Sequence, residues 1–133
     1  MILAVCIDDA NGLMFNNRRV SSDSAVVRDL LDIAGACKIT AMPYSLPLFQ
    51  GVEDRISVAE NFNPDAAFFF AESGDFLEIK ESVDQLIIYK WNRRYPSDRK
   101  FPVDAYKKRM TLKSTTEFEG TSHPCITREV YVR

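Results

Sequence analysis

The chain has 133 residues, 46% hydrophobic and 27% charged, which is enough apolar material for one domain with its own core and too much for disorder. A formal net charge of −2 gives no global electrostatic case for nucleic acid or for a membrane surface, so any anion site has to be local. One histidine and three cysteines without metal-ligand or Cys-x-x-Cys spacing exclude a histidine-rich metal centre and predict reduced thiols and no bound metal.

Residues 2–7 form a short, continuously apolar run that reads as a buried strand, ended by turn chemistry at Asp9-Ala10-Asn11-Gly12. A loop of about ten residues follows, long enough to be a functional segment. Ser22 or Asp23 can cap a helix running to Ala34, with Val26, Val27, Leu30, Leu31 and Ala34 on one face and Gly35 as its stop. Lys38 to Met42 reads as a second strand broken at Pro43, Leu46 to Gln50 as one turn of helix, and Arg55 to Ala59 as a third strand. Residues 66–71, with three consecutive phenylalanines, predict a central strand covered on both faces.

A short helix is expected between Asp75 and Ser82, then a strand over Gln85 to Trp91. Asn92 to Pro102 is polar, contains two prolines, and reads as a loop. Met110 to Phe118 and Ile126 to Tyr131 predict two antiparallel strands joined through the turn formers Gly120, Thr121, Ser122 and Pro124. Strands and helices alternate early and strands pair late. That order predicts an α/β fold with a mixed sheet, mainly parallel, with an antiparallel C-terminal edge and a few short flanking helices. The apolar runs are strand-length, far below the roughly 18 residues of a membrane helix, and no signal peptide opens the chain, so a cytoplasmic location is expected.

Several residues carry chemistry. Asp23 reads either as a general acid/base or ligand anchor, or as a first-turn carboxylate favoured by the helix dipole. Arg18, Arg19, Ser21 and Ser22 beside a helix start suit a phosphate or carboxylate, since arginine forks and N-terminal amides both donate to oxyanions; a solvated basic loop is the alternative. Trp91, Asn92, Arg93, Arg94 and Tyr95 mix aromatics with guanidiniums, as stacking on a heterocycle requires, or else mark a strand end with Trp91 packed inward. His123, the only histidine, reads as an acid or base or as an exposed turn residue.

Three segments carry a resemblance. Residues 2–17 run from an apolar strand through Asp8-Asp9-Ala10-Asn11-Gly12 to Asn16-Asn17; Phe68 to Leu86 carries a strand, a short helix and Asp84-x-Leu86; and Tyr89 to Pro102 closes on Ser97-Asp98 and Phe101-Pro102. In order and spacing they resemble dihydrofolate reductase, and residues 130–133 resemble its last strand. The resemblance implies that family's fold, with a mobile loop after the first strand. The family's paired glycines for the NADPH pyrophosphate correspond here to Ala71-Glu72-Ser73-Gly74, where Glu72 opposes a phosphate. Its Gly-Arg-x-Thr clamp falls near Met42-Pro43-Tyr44-Ser45 without an arginine, the adenine-binding segment is missing, and no Pro-Trp precedes the first helix. Asp23 is the nearest carboxylate to the family's acid, and Tyr89 stands at its pterin-side threonine.

The expectation is therefore a pared-down frame with no cofactor and no NADPH-dependent hydride transfer. It binds a small anionic heterocycle, a pterin or nucleotide, through Asn17, Arg18, Arg19, Ser22, Tyr89, Trp91, Asn92, Arg93 and Tyr95. The alternatives are an enzyme acting on nucleotides or RNA with Asp23 and His123 as acid and base, and a protein interaction module. The chain is also similar to short bacterial proteins sometimes labelled ribonuclease Z, although it lacks the His-rich metal motif of true members.

Overall fold

The computed structural model describes residues 1–133. In chain order the strands are β1 (Ile2–Ile7), β2 (Gly12–Phe15), β3 (Arg18–Arg19), β4 (Ile39–Ala41), β5 (Ile56–Val58), β6 (Phe68–Phe70), β7 (Gln85–Lys90), β8 (Arg99–Lys100), β9 (Thr111–Phe118) and β10 (Ile126–Val132). The α-helices are α1 (Ser24–Ala34) and α2 (Val103–Lys107), and short 3-10 helices occupy Pro43–Phe49, Glu53–Arg55 and Lys80–Ser82.

Seven strands form the main sheet in the order β5-β4-β6-β1-β7-β10-β9. Pairing is parallel from β5 through β7 and antiparallel from β7 to β10 and β9, which is the mixed α/β sheet the sequence predicts. Strands covered on both faces must place apolar residues at both parities, and the three phenylalanines of β6 do so. Phe69 joins Leu3, Val5, Leu86 and Ile88 under α2 and the 75–83 segment, while Phe68 and Phe70 join Ala4, Ile87, Tyr89 and Trp91 on the α1 side. Val26 and Leu30 of α1 are buried against that second cluster, with Val27, Leu31 and Ala34 packed at its margin. Gly35 ends the helix at φ 58°, a conformation open to glycine without a Cβ penalty.

Three expectations are corrected. The segment after β1 is not a plain loop: β2 and β3 pair as an antiparallel hairpin, with Met14 opposite Arg19 and Phe15 opposite Arg18. Asn16 and Asn17 sit at φ 55° and 63°. Two successive positive φ values are what a tight two-residue hairpin turn needs, and asparagine tolerates them, so the Asn-Asn pair is a hairpin signal. Arg99–Lys100, expected inside a loop, forms β8 against β2 and completes a three-stranded sheet β3-β2-β8. The helix expected between Asp75 and Ser82 is a run of turns ending in the 3-10 helix; Phe76 and Ile79 are buried while Leu77 is exposed, a face too narrow to hold a regular helix. Helix α2 lies between the expected loop and the expected strand pair, in a segment of five residues too short to show a period.

Asp8 fixes the hairpin to the rest of the molecule. Its buried carboxylate accepts from the amides of Ala10 (2.8 Å), Gly12 (2.7 Å) and Tyr95 (2.9 Å). Burial alone would raise this carboxyl, but the Tyr95, Gly12 and Ala10 amides and the Lys100 charge hold it below the usual range. A Cβ on Gly12 would lie 2.6 Å from Ser97 and 2.8 Å from the Asp8 carboxylate, so no side chain fits there.

Candidate functional site

The carboxyl ends of β1, β6 and β7, the start of α1 and the turn between β9 and β10 meet at one place, where open α/β sheets bind ligands. Asp23 caps α1, accepting from the amide of Ala25 at 2.9 Å. The same carboxylate accepts from the amides of Thr121 (2.9 Å) and Ser122 (2.8 Å), which lie about one hundred residues on but beside α1 in space. Its last strong partner is His123, whose Nδ1 lies 2.9 Å from Oδ2; the two side chains are 0% and 3% exposed. Burial pushes the Asp23 carboxyl up, and His123 with the amides of Thr121, Ser122 and Ala25 more than reverse this, holding it well below the ordinary carboxylate range.

An ionised Asp23 fixes the histidine. Accepting a hydrogen bond from Nδ1–H selects the tautomer in which Nε2 is an acceptor. That nitrogen lies 2.8 Å from the Ser21 hydroxyl and 3.2 Å from the Tyr95 hydroxyl. The imidazole also stacks on Trp91, with ring centroids 4.6 Å apart and an interplanar angle of 23°. Ser21, His123 and Asp23 therefore form a hydrogen-bonded relay with the geometry of a nucleophile, a base and an orienting carboxylate.

The relay borders a cleft of about 20 Å³ lined by Cys6, Ser21, Val26, Phe70, Glu72 and Trp91 among others, room for little more than a water molecule. Burial and then the Glu72 charge push the Cys6 thiol up, so the sulfur stays protonated and Ser21 is the stronger nucleophile candidate. Trp91 is 2% exposed and its Nε1–H has no acceptor in the protein. Arg19 closes one wall: its Nε and Nη2 donate to Glu72 at 2.8 and 3.1 Å, its guanidinium lies 4.4 Å from the Tyr44 ring centroid, and Ser45 donates to Glu72 at 2.7 Å. The negative charge foreseen at Glu72 is thus neutralised within the chain.

The structure brings Asp23, His123, Trp91 and Tyr95 together, with Arg19 on the cleft wall. Arg18 is exposed on β3, in a groove shared with Tyr95. Ser22 is exposed and its carbonyl accepts from the Ser122 hydroxyl at 3.4 Å. Other predicted residues lie elsewhere. Asn17 is in the hairpin turn, accepting from Arg99 at 3.2 Å. Asn92, at φ 58°, donates to the Cys125 carbonyl and the Thr127 hydroxyl, tying the end of β7 to the start of β10. Arg93 is exposed and only its carbonyl is engaged, by the Asp9 amide. Tyr89 is fully buried beneath α1 and donates to Asp29 at 2.6 Å, while Arg128 donates to both oxygens of Asp29. Its place is structural. No group of three or more His, Cys, Asp or Glu side chains is placed to hold a metal ion, and no helix is long and apolar enough to cross a membrane.

Ser21 was expected only as part of an anion site; its pairing with His123 depends on the β9–β10 turn folding over the start of α1. Gly120 makes that approach possible. A Cβ there would stand 2.5 Å from the Asp23 carboxylate and 2.8 Å from the His123 carbonyl. Gly120→Ala is expected to destabilise the protein by about 1–3 kcal/mol through overpacking, read as a lower urea midpoint at unchanged m-value.

No protein-family model matches the sequence, and no curated protein matches it. Among solved structures the chain is similar to dihydrofolate reductase from Enterococcus faecalis complexed with NADP(H) and RAB-propyl, with a TM-score of 0.66 over 100% of this chain and 96% of that one. The fold is that of dihydrofolate reductase. Sequence identity is 10%, so the likeness concerns the dihydrofolate-reductase-like frame and not its activity.

Proposed function

We propose that this chain uses a dihydrofolate-reductase-like frame for hydrolysis instead of hydride transfer. Ser21 is the nucleophile, His123 its base and Asp23 the group that orients His123. The observation that carries this reading is the Ser21–His123–Asp23 relay, with steps of 2.8 and 2.9 Å and its carboxylate fully buried. The substrate is an anionic heterocyclic ester of the nucleotide type, favoured by Phe15, Arg18 and Tyr95, which line a groove of about 450 Å³ beside the relay.

Ser21 Oγ attacks the phosphorus while its proton passes to Nε2 of His123; the bond to the leaving oxygen breaks, and that oxygen takes the proton from His123. Water then attacks the phosphoserine, with His123 again accepting a proton, and Ser21 leaves as the hydroxyl. The backbone N–H groups of Ser22 and Asp23 donate to no acceptor in the protein and are free to stabilise developing oxyanion charge. A ligand oxygen would also satisfy the orphan Nε1–H of Trp91. A frame without NADPH-dependent reduction is supported by Glu72 and its partners Arg19 and Ser45, whose side chains fill the segment that the resemblance assigns to the pyrophosphate glycines.

The test is covalent labelling. A fluorophosphonate probe is expected to add once to the folded protein, with peptide mapping locating the adduct on Ser21. A folded protein that takes no adduct there overturns the nucleophile assignment. A thermal shift that grows with NADPH concentration overturns the claim of cofactor loss.

A further inference from the structure

Three cations outside any ion pair line the surface around Tyr95 and Pro96: Arg18 on β3, Arg94 in the segment after β7, and Lys100 on β8. The carboxylates nearest to them in the chain are the buried Asp8, which feels the Lys100 charge, and the exposed Asp9, Asp98 and Asp104, of which Asp98 accepts from the Asn16 amide at 3.0 Å.

Two grooves cross this region. One, of about 450 Å³, runs between Phe15, Arg18 and Tyr95, and the other, of about 500 Å³, between Arg94, Ser97 and Lys100. They share Tyr95 and Pro96. Each has the size of a small-ligand site. Phe15 is 48% exposed and directly opposite Arg18 in the hairpin, so an aromatic face and a guanidinium stand side by side. Tyr95, where the grooves meet, has its hydroxyl 3.4 Å from Ser21 Oγ and 3.2 Å from His123 Nε2.

We infer that the joined grooves are a binding track for a single-stranded oligonucleotide, whose phosphates lie along Arg18, Arg94 and Lys100 while a base stacks on Phe15. A mononucleotide would fill one groove; two grooves on either side of Tyr95 and Pro96, each with its own cations, and an exposed aromatic in one of them, suit consecutive nucleotides. Stacking on an aromatic with cations tracking the backbone is how strands are bound without sequence preference. As the substrate class for Ser21 this rests on the hydrolase reading above, whereas the binding itself does not need Ser21.

The experiment is fluorescence anisotropy of the full chain with a labelled single-stranded oligonucleotide about ten nucleotides long, as RNA and as DNA, at several salt concentrations. The expected result is saturable binding whose affinity falls with salt at a log–log slope of about −2, the value for three phosphate contacts on a single strand. Arg18→Glu combined with Arg94→Glu and Lys100→Glu is expected to weaken binding at least tenfold, and Phe15→Ala at least fivefold, since stacking on one aromatic is worth that much or more. Absence of binding at low salt overturns the inference. So does binding that heparin matches and that Phe15→Ala leaves intact, which would be simple polyanion attraction. Anisotropy reads the track and fluorophosphonate labelling reads the relay: a protein that is labelled and binds no strand loses the track alone, and one that binds and is never labelled loses the relay.

Discussion

Asp23→Ala is expected to destabilise the fold by about 3–5 kcal/mol, the combined cost of a lost helix cap and of buried donors left without their acceptor. The carboxylate is the N-cap of α1, and losing that alone costs about 1 kcal/mol. Its removal also leaves the Thr121 and Ser122 amides and His123 Nδ1–H without their acceptor, at about 1–3 kcal/mol for each group that stays buried. The pH dependence follows from its depressed carboxyl. A carboxylate held lower in the folded than in the unfolded chain stabilises the fold fully above the unfolded value, roughly 3.9, and that contribution is lost as pH falls through the folded value. Wild-type stability is therefore expected to fall steeply below about pH 4, and Asp23→Asn to remove much of that slope. Asp8, lowered in the same direction, leaves a residual slope in the variant. Urea midpoints at pH 7, 4 and 3 measure this; parallel pH profiles for the two proteins would show that Asp23 is not the group responsible.

The frame was legible because its signals are local. The apolar run of β1, the three phenylalanines of β6, the capping residue before α1 and the late strand pair each mark an element through its own periodicity or turn chemistry. The short elements were less legible for a physical reason: β3 and β8 have two residues each, too few for any period, and exist because β2 offers an edge on both sides. The site was half legible. Asp23 and His123 could be singled out by residue type, but their contact spans 100 residues and exists only because β10 lies beside β7, so that the turn before it folds over the start of α1. Ser21 and Glu72 gave still less, because each takes its meaning from a partner: Ser21 from His123, and Glu72 from Arg19. Tyr89 shows the opposite failure, since alignment with a ligand position said nothing about the parity that turns it toward Asp29.

His123→Ala is expected to slow fluorophosphonate labelling of Ser21 by about 10²–10⁴-fold, the usual contribution of a positioned base. The histidine also packs on Trp91, so a loss of folding could imitate a loss of chemistry. Asp23→Asn separates the two. An asparagine retains the volume and one oxygen, for the Ala25 and Thr121 amides, but with its NH₂ group in the place of Oδ2 it opposes the Ser122 amide and donates to Nδ1, placing the ring proton on Nε2. That nitrogen then cannot accept the Ser21 proton across their 2.8 Å contact. A comparable loss of labelling is expected in a protein that still unfolds cooperatively, because a wrong tautomer disables a base without displacing it. If both variants fold and label Ser21 within a few-fold of wild type, the relay is a structural clasp. If labelling collapses in Asp23→Asn while the fold persists, the tautomer is what matters, and a clasp has no use for a tautomer.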